Sequence, residues 1–210
     1  MAYDGTATAY IGVNFNSTGN NGDISNWLIA PEVTFKNGDV ITFYTRTVSA
    51  PQYPDRLQVW LSTNGASTNV GATTTSVGDF TNLLVDINPN LNTTDYPNIW
   101  TQYTITLSGL SGPTPGRFAF RYFVTNAGGL GLNSDYIGID SVAYWSNPCT
   151  PITISPTTLP NGAQNVPYSQ SITQSGGNGT TTFAITNGNL PGGLNLATDG
   201  TLSGTPLDAG

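Results

Sequence analysis

Between Ser25 and Trp145 the chain repeats one pattern: short runs in which every second residue is apolar, separated by turn residues. In "DVITFYTRTV", Ile41, Phe43 and Thr45 fall on one side and Thr42, Tyr44 and Arg46 on the other. In "DRLQVWLST", Leu57, Val59 and Leu61 oppose Arg56, Gln58 and Trp60. "NWLIAPEV", broken by Pro31, precedes them, and "WTQYTITLSGL", "GRFAFRYFV" and "DYIGIDSVAYW" follow. An extended chain turns successive side chains to opposite faces, so this alternation is what a sheet with one face in a core demands. Many short antiparallel strands of this kind imply a sandwich or jelly roll.

Composition points the same way. Helix formers such as Ala, Glu, Lys, Gln and Met are scarce, while Thr, Val, Ile and Tyr recur between turn residues. Charged residues make up 8% of the chain and aromatics 10%; disorder goes with high charge and few aromatics, so the chain is expected to fold. With a net charge of −7 and five basic residues, it cannot present the basic stripe of a nucleic-acid binder. No run of about 18 apolar residues is available for a membrane-spanning helix, so membrane insertion is not expected. The single cysteine, Cys149, excludes an internal disulfide and fits a cytosolic protein or a bacterial exported one built without disulfides. The low-charge, Thr/Asn/Gly-rich surface favours export to the cell surface or medium. "MAYDGTATAYIG" lacks the charged start and apolar stretch of a signal peptide, so that signal is expected upstream.

"SNPCTPITISPTTLPNG" breaks the pattern with four prolines around Cys149, a stiff linker leading into an edge strand. Beyond it come "YSQSITQSGG", "TTFAITNG" and "GLNLATDGTLSGTP", whose "DG" between apolar alternations signals a hairpin. The expected organisation is an all-β jelly-roll sandwich over residues 1–147. A small Ig-like β-sandwich, incomplete at its C-terminal end, is expected over residues 148–210.

Two resemblances attach to these blocks. "ISNWLIAPEV", "YPDRLQVWLSTNG", "WTQYTITLSGL", "RFAFRYFV" and "YIGIDSVAYW" stand in the order typical of cleaved-adhesin or choice-of-anchor J domains. Those are jelly-roll modules of exported bacterial proteins, related in shape to MAM domains. Members usually begin with a strand and a "GW" segment well before the "WLI-P" motif, and that part is short or missing here. "LPGGLNLATDGTLSGTPLDAG" resembles the Ig-like domains of bacterial surface proteins, which continue past the "AG" into a final strand. The resemblance therefore implies a piece of a longer tandem array, with other domains of the same polypeptide as neighbours.

Catalytic chemistry finds little to work with. There is no histidine, so no Ser-His-Asp or Cys-His arrangement can form. Lys36, the only lysine, sits in the turn "FKNGD", Cys149 lacks a nearby base, and no zinc set exists. A glycosidase needs two carboxyl groups, but Glu32 is the only glutamate, and Asp55, Asp79, Asp86, Asp95 and Asp135 lie where turns use them locally. Similar jelly rolls carry, at the position of Asp140, an aspartate that holds a structural calcium against the N-terminal segment. The resemblance implies Ca2+ on Asp140 with Asp4 or Asp23 approaching, although many members read "IDDV" where this chain has Ser141. The alternative is that Asp140 bonds only backbone groups at the sheet edge.

Two surfaces are candidates for binding. Arg46, Arg56 and Arg121 alternate away from the apolar set and share those faces with Tyr44, Trp60 and Phe123. Aromatic rings can stack on sugars while arginines meet hydroxyls or carboxylates. These side chains serve equally as cover for a second layer. The loops "SAPQYPDR" and "LNTTDYPNIW" each carry a Tyr-Pro, at Tyr53 and Tyr96, and loops on a rigid sandwich are common binding sites. The expected function is non-catalytic: an adhesion or carbohydrate-binding module whose partner is a glycan or a host or matrix ligand. The alternatives are purely structural spacers, or accessory domains of an exported hydrolase or protease.

Overall fold

The computed structural model describes residues 1–147, 152–177 and 180–207; Cys149 with its neighbours at 148, 150 and 151, and the closing "DAG", lie outside them. The chain divides into two compact units, Met1–Asn147 and Pro148–Gly210. The fold is all-β.

In the first unit the alternating runs become β1 (Ile11–Asn14), β2 (Gly22–Ile29), β3 (Val33–Phe35), β4 (Val40–Thr47) and β5 (Leu57–Ser62). They are followed by β6 (Asn82–Ile87), β7 (Thr101–Thr106), β8 (Thr114–Ala127) and β9 (Tyr136–Trp145). One sheet has the order β1-β9-β4-β7; the other runs β2-β8-β5-β6, with β3 pairing the start of β8. Every pairing is antiparallel. The chain crosses between the sheets at nearly every connection, which is the double Greek key of a jelly roll.

The inward sets meet between the sheets. Ile41 and Phe43 from β4, Leu57 and Val59 from β5, Phe120 and Val124 from β8 and Ile137 from β9 share one buried core. Phe43 meets Phe120 edge-on with centroids 4.9 Å apart, a geometry that adds about 0.5–1.5 kcal/mol beyond area burial. On β4 the alternation holds as the sequence predicts. On β5 it does not: Gln58 and Ser62 are as buried as Leu57 and Val59, because residues 63–81 fold back over that outer face.

The second unit is thinner. It holds β10 (Thr153–Ser155), β11 (Tyr168–Ser171), β12 (Thr173–Ser175), β13 (Leu194–Leu196) and β14 (Thr201–Gly204). They form the sheets β10-β12 and β11-β14-β13. The "DG" hairpin joins β13 to β14 as expected, with Gly200 at φ +93°. A Cβ there would lie 2.2 Å from the Ile172 carbonyl, so only glycine fits. Among the described residues of this unit only Leu202 is a buried large apolar side chain, and Ile154, Val166 and Ile185 are exposed.

Candidate functional site

The β1–β2, β4–β5, β6–β7 and β8–β9 connections leave the jelly roll at one end, and hydrogen bonds tie them together there. Ser134 N donates to Pro54 O (2.8 Å), Thr47 N to Pro97 O (2.7 Å), Phe15 N to Asp135 O (3.3 Å) and Leu130 N to Asn20 O (2.6 Å). At this end the inward face of β4 changes from alkyl to hydroxyl. Thr45 donates to Gly138 O (2.7 Å) and shares a hydrogen bond with the Tyr96 hydroxyl (2.7 Å).

The centre of the arrangement is Asp55, which is 1% exposed. Its Oδ1 accepts from the Tyr122 hydroxyl and from Asp135 N (2.9 Å). Its Oδ2 accepts from Thr47 Oγ1 (2.7 Å) and Tyr136 N (3.4 Å). The Tyr122 hydroxyl also meets Ser134 Oγ (2.7 Å), which fixes Ser134 in the left-handed region at φ +78°. Asn88 continues the network by donating to the Asp55 carbonyl (2.8 Å). One carboxylate thus staples β4, β8 and the β8–β9 loop. Burial pushes the Asp55 carboxyl above its ordinary pKa, and the four donors partly offset the rise.

Two clefts flank the β4–β5 loop above this staple. A cleft of about 360 Å³ lies between Phe15, Gln52 and Tyr53 on one side and Gly128, Gly129, Gly131, Ser134 and Asp135 on the other. Phe15 is 37% and Tyr53 43% exposed. The second cleft, about 460 Å³, is shared by Ser49, Ala50 and Pro51 with residues 93–98 of the β6–β7 loop. The two Tyr-Pro loops therefore do come together.

Other predicted residues take different places. Tyr96 is 3% exposed; its ring enters the core, with the hydroxyl tied to Thr45 and its pKa raised by burial. It is a packing residue and not a surface contact. The Arg/aromatic set does not share one groove, because it is split between the two sheets. Tyr44 and Arg46 lie on the outer face of the β1-β9-β4-β7 sheet. There Tyr3 stacks on Tyr44 at 3.6 Å, and Arg46 lines a hollow of about 170 Å³ with Tyr10, Trp100 and Tyr136. Arg56, Trp60, Arg121 and Phe123 lie on the outer face of the other sheet. Arg121 is not part of an open face: it is 2% exposed, covered by residues 63–81 and donating to the Thr74 carbonyl.

Of the two aspartates expected to approach Asp140, Asp4 comes beside it and Asp23 does not. Asp140 Oδ2 accepts from Tyr3 N (2.7 Å) and Asp4 N (3.3 Å), and Oδ1 from Ser141 N (2.6 Å). Asp4 turns its own carboxylate to Gly5 N (2.7 Å). Asp23, on β2 in the other sheet, accepts from Asn126 N (3.2 Å). Among the described residues no three metal-binding side chains cluster. Calcium requires a shell of oxygens, whereas Asp140 is surrounded by N–H donors, so the residues present do not fit the ion. Burial alone would raise the Asp140 carboxyl, but those donors hold it below its ordinary range. The carboxylate pins the N-terminal segment directly.

Reasoning from the sequence missed the staple and the Phe15/Gly-rich side of the first cleft. The available signals were Thr45 and Thr47 at inward positions of β4, Tyr122 at an inward position of β8, and the glycines of "NAGGLGLN".

Residues 150–210 match a family model described as "Putative Ig domain", in agreement with the resemblance read from the tail. No curated protein matches the chain. Solved structures similar to it include three cleaved adhesin domains of Lys-gingipain, K1 and K3, from Porphyromonas gingivalis W83, and K2. The K1 domain is 25% identical over 59% of this chain and 64% of its own, with a TM-score of 0.39. The K3 domain is 21% identical over 66% and 74%, with a TM-score of 0.44. The K2 domain is 21% identical over 70% and 75%, with a TM-score of 0.43. The chain thus spans less than two thirds of the K1 structure.

Proposed function

We propose that the first unit is a non-catalytic saccharide-recognition module of adhesion type, exported and working through the cleft between Phe15, Tyr53 and the β8–β9 loop. One observation carries this reading: two partly exposed rings and the polar groups of Gln52, Ser134 and Asp135 line one cleft on loops fixed by a buried carboxylate. Rings offer apolar faces to a pyranose while neighbouring amide and carboxylate groups meet its hydroxyls. Asp55 is consumed by four donors, which leaves Asp135 without a second free carboxylate for glycoside hydrolysis. The second unit, with its thin core, serves as a spacer.

A glycan array tests the proposal. Wild-type chain should give discrete saccharide signals that fall at least about tenfold in Tyr53→Ala and Phe15→Ala, a loss of about 1.4 kcal/mol or more. Both variants should melt like wild type, since both rings are partly solvated. A blank array with folded protein would replace recognition with the spacer reading for the whole chain.

A further inference from the structure

On the outer face of the β2-β8-β5-β6 sheet, Arg56 and Arg121 lie beside one carboxylate, Asp86. Arg56 binds Asp86 with both ends of its fork, Nε to Oδ1 at 2.8 Å and Nη2 to Oδ2 at 2.5 Å, and Gln58 Nε2 adds a third donor at 3.0 Å. Asp86 is therefore satisfied by Arg56 and Gln58. Arg121, opposite Gln58 in the β5/β8 register, has no carboxylate partner. Its acceptors are neutral: Ser25 Oγ (3.0 Å), Gln58 Oε1 (3.3 Å) and the Thr74 carbonyl. Two of these are already shared, because Trp27 Nε1 donates to Ser25 Oγ (3.2 Å) and Trp60 Nε1 to Gln58 Oε1 (3.0 Å). The cluster is rich in donors, short of acceptors and positive in a chain of net charge −7. A buried guanidinium with no carboxylate in hydrogen-bond contact, and with Asp86 already engaged by Arg56, is an expensive arrangement. Burial lowers its pKa to about 10, so it remains charged at neutral pH.

The middle of the cover over this cluster is attached lightly. Residues 63–81 carry no strand or helix, and loops of that length in a compact domain are usually functional. Most of their backbone hydrogen bonds close within the loop: Ser67 N to Asn64 O, Ser76 N to Thr73 O, Asp79 N to Asn69 O and Phe80 N to Val77 O. One root is held to the body by Gly65 N on Pro115 O and Arg117 Nε on Ala66 O, the other by Phe80 against Trp27. Between the roots, the exposed stretch 72–75 reaches Arg121 through the Thr74 carbonyl alone. That carbonyl is a single neutral acceptor where a planar carboxylate would engage the guanidinium fork at two points. The rings of Phe123 and Trp27 flank the guanidinium at 3.9 and 5.2 Å, and neither is fully buried.

We infer that this is a second, gated binding site, separate from the Tyr53 cleft, for a carboxylate-bearing sugar. The uronate carboxylate displaces the Thr74 carbonyl from Arg121, the exposed stretch 72–75 lifts as a lid while Phe80 keeps its place against Trp27, and the pyranose lies against Phe123.

The test uses the full chain with oligomers of galacturonic and glucuronic acid, their neutral parents, and an acidic peptide. Binding is followed by tryptophan fluorescence and calorimetry. Uronate oligomers should bind wild type, and replacing residues 72–75 by Gly-Gly should tighten them about tenfold or more by removing the closed state. Arg121→Lys should weaken binding about tenfold by losing the fork, and Arg121→Gln should abolish it. Neutral sugars should not bind here, and Tyr53→Ala should leave uronate affinity unchanged. If Arg121→Gln fails to fold, Arg121→Lys and wild type decide. The inference is overturned if uronates bind neither wild type nor the folded lid variant. Equal binding of the neutral parents by the Tyr53→Ala chain, or binding of the acidic peptide alone, overturns it too.

Discussion

Replacing Asp55 by alanine removes the acceptor of four hydrogen bonds at once, and the structure sets the size of the effect. Thr47 Oγ1 keeps Tyr136 O (2.8 Å) and the Tyr122 hydroxyl keeps Ser134 Oγ (2.7 Å), so neither hydroxyl is wholly orphaned. Asp135 N and Tyr136 N lose their hydrogen bonds to this carboxylate. Hydrogen bonds to a charged acceptor contribute about 1.5–3 kcal/mol each, and a stranded donor costs about 1–3 kcal/mol. Relief from desolvating the carboxylate returns part of that sum. A net loss of about 3–5 kcal/mol is expected, or roughly 10 °C in midpoint for a unit of this size. Asp55→Asn keeps one oxygen but aims an amide at two donors, so it should lose about 2–3 kcal/mol.

Tryptophan fluorescence reads this cleanly, since Trp27, Trp60, Trp100 and Trp145 all lie in the first unit. The pH dependence adds a sign. Burial raises the Asp55 carboxyl above its unfolded value of 3.8, so the part of its stabilisation linked to that shift is complete below that pH and is lost as pH rises through the folded value, leaving the hydrogen bonds to the carboxylate. The gap between wild type and Asp55→Asn should therefore be widest in acid and narrow on going up. A loss under about 1 kcal/mol in both variants, or a gap that widens with pH, would refute the staple.

Asp39 should show the opposite slope. Burial alone would raise it, but donors from Tyr144, Asn147 and Lys36 bring it below 3.8. Its stabilisation is thus present above that pH and lost as pH falls through the folded value. An Asp39→Asn gap that persists in strong acid would contradict those contacts. Chelator should leave the fluorescence midpoint unchanged, because Asp140 holds Tyr3 and Asp4 directly; a chelator-induced drop would restore calcium. Asp140→Ala should cost about 1–2 kcal/mol and speed amide exchange at Tyr3 and Asp4.

What the sequence made legible follows from the range of each signal. Alternation is local, so β4 and β8 could be read from their own residues, and "DG" located the β13–β14 hairpin. The cover over β5 could not be read, because residues 63–81 look like polar turn sequence and only Phe80 anchors them apolarly. Tyr96 misled for a related reason: a tyrosine beside proline in a loop reads as exposed, yet nothing local says which way the ring turns. Asp140 bonds Tyr3 across 137 residues, a separation over which composition and spacing are silent. The arginines were placed on the correct side of their strands, but which sheet each strand joins depends on the whole topology.

The three inward hydroxyls are what the proposed recognition role would ask of the loop end. At positions 45, 47 and 122 an alkyl or phenyl group would satisfy the alternation and bury more apolar surface. With Asp55 these residues instead hold Pro54, Ser134 and Asp135, along with the loop that carries Tyr53. A module that only sets distance gains nothing from ordering its loop tips, whereas a binding cleft loses less entropy on binding when its walls are already fixed. Under the proposed function, the core burial given up at these three positions is exchanged for loop rigidity at the cleft.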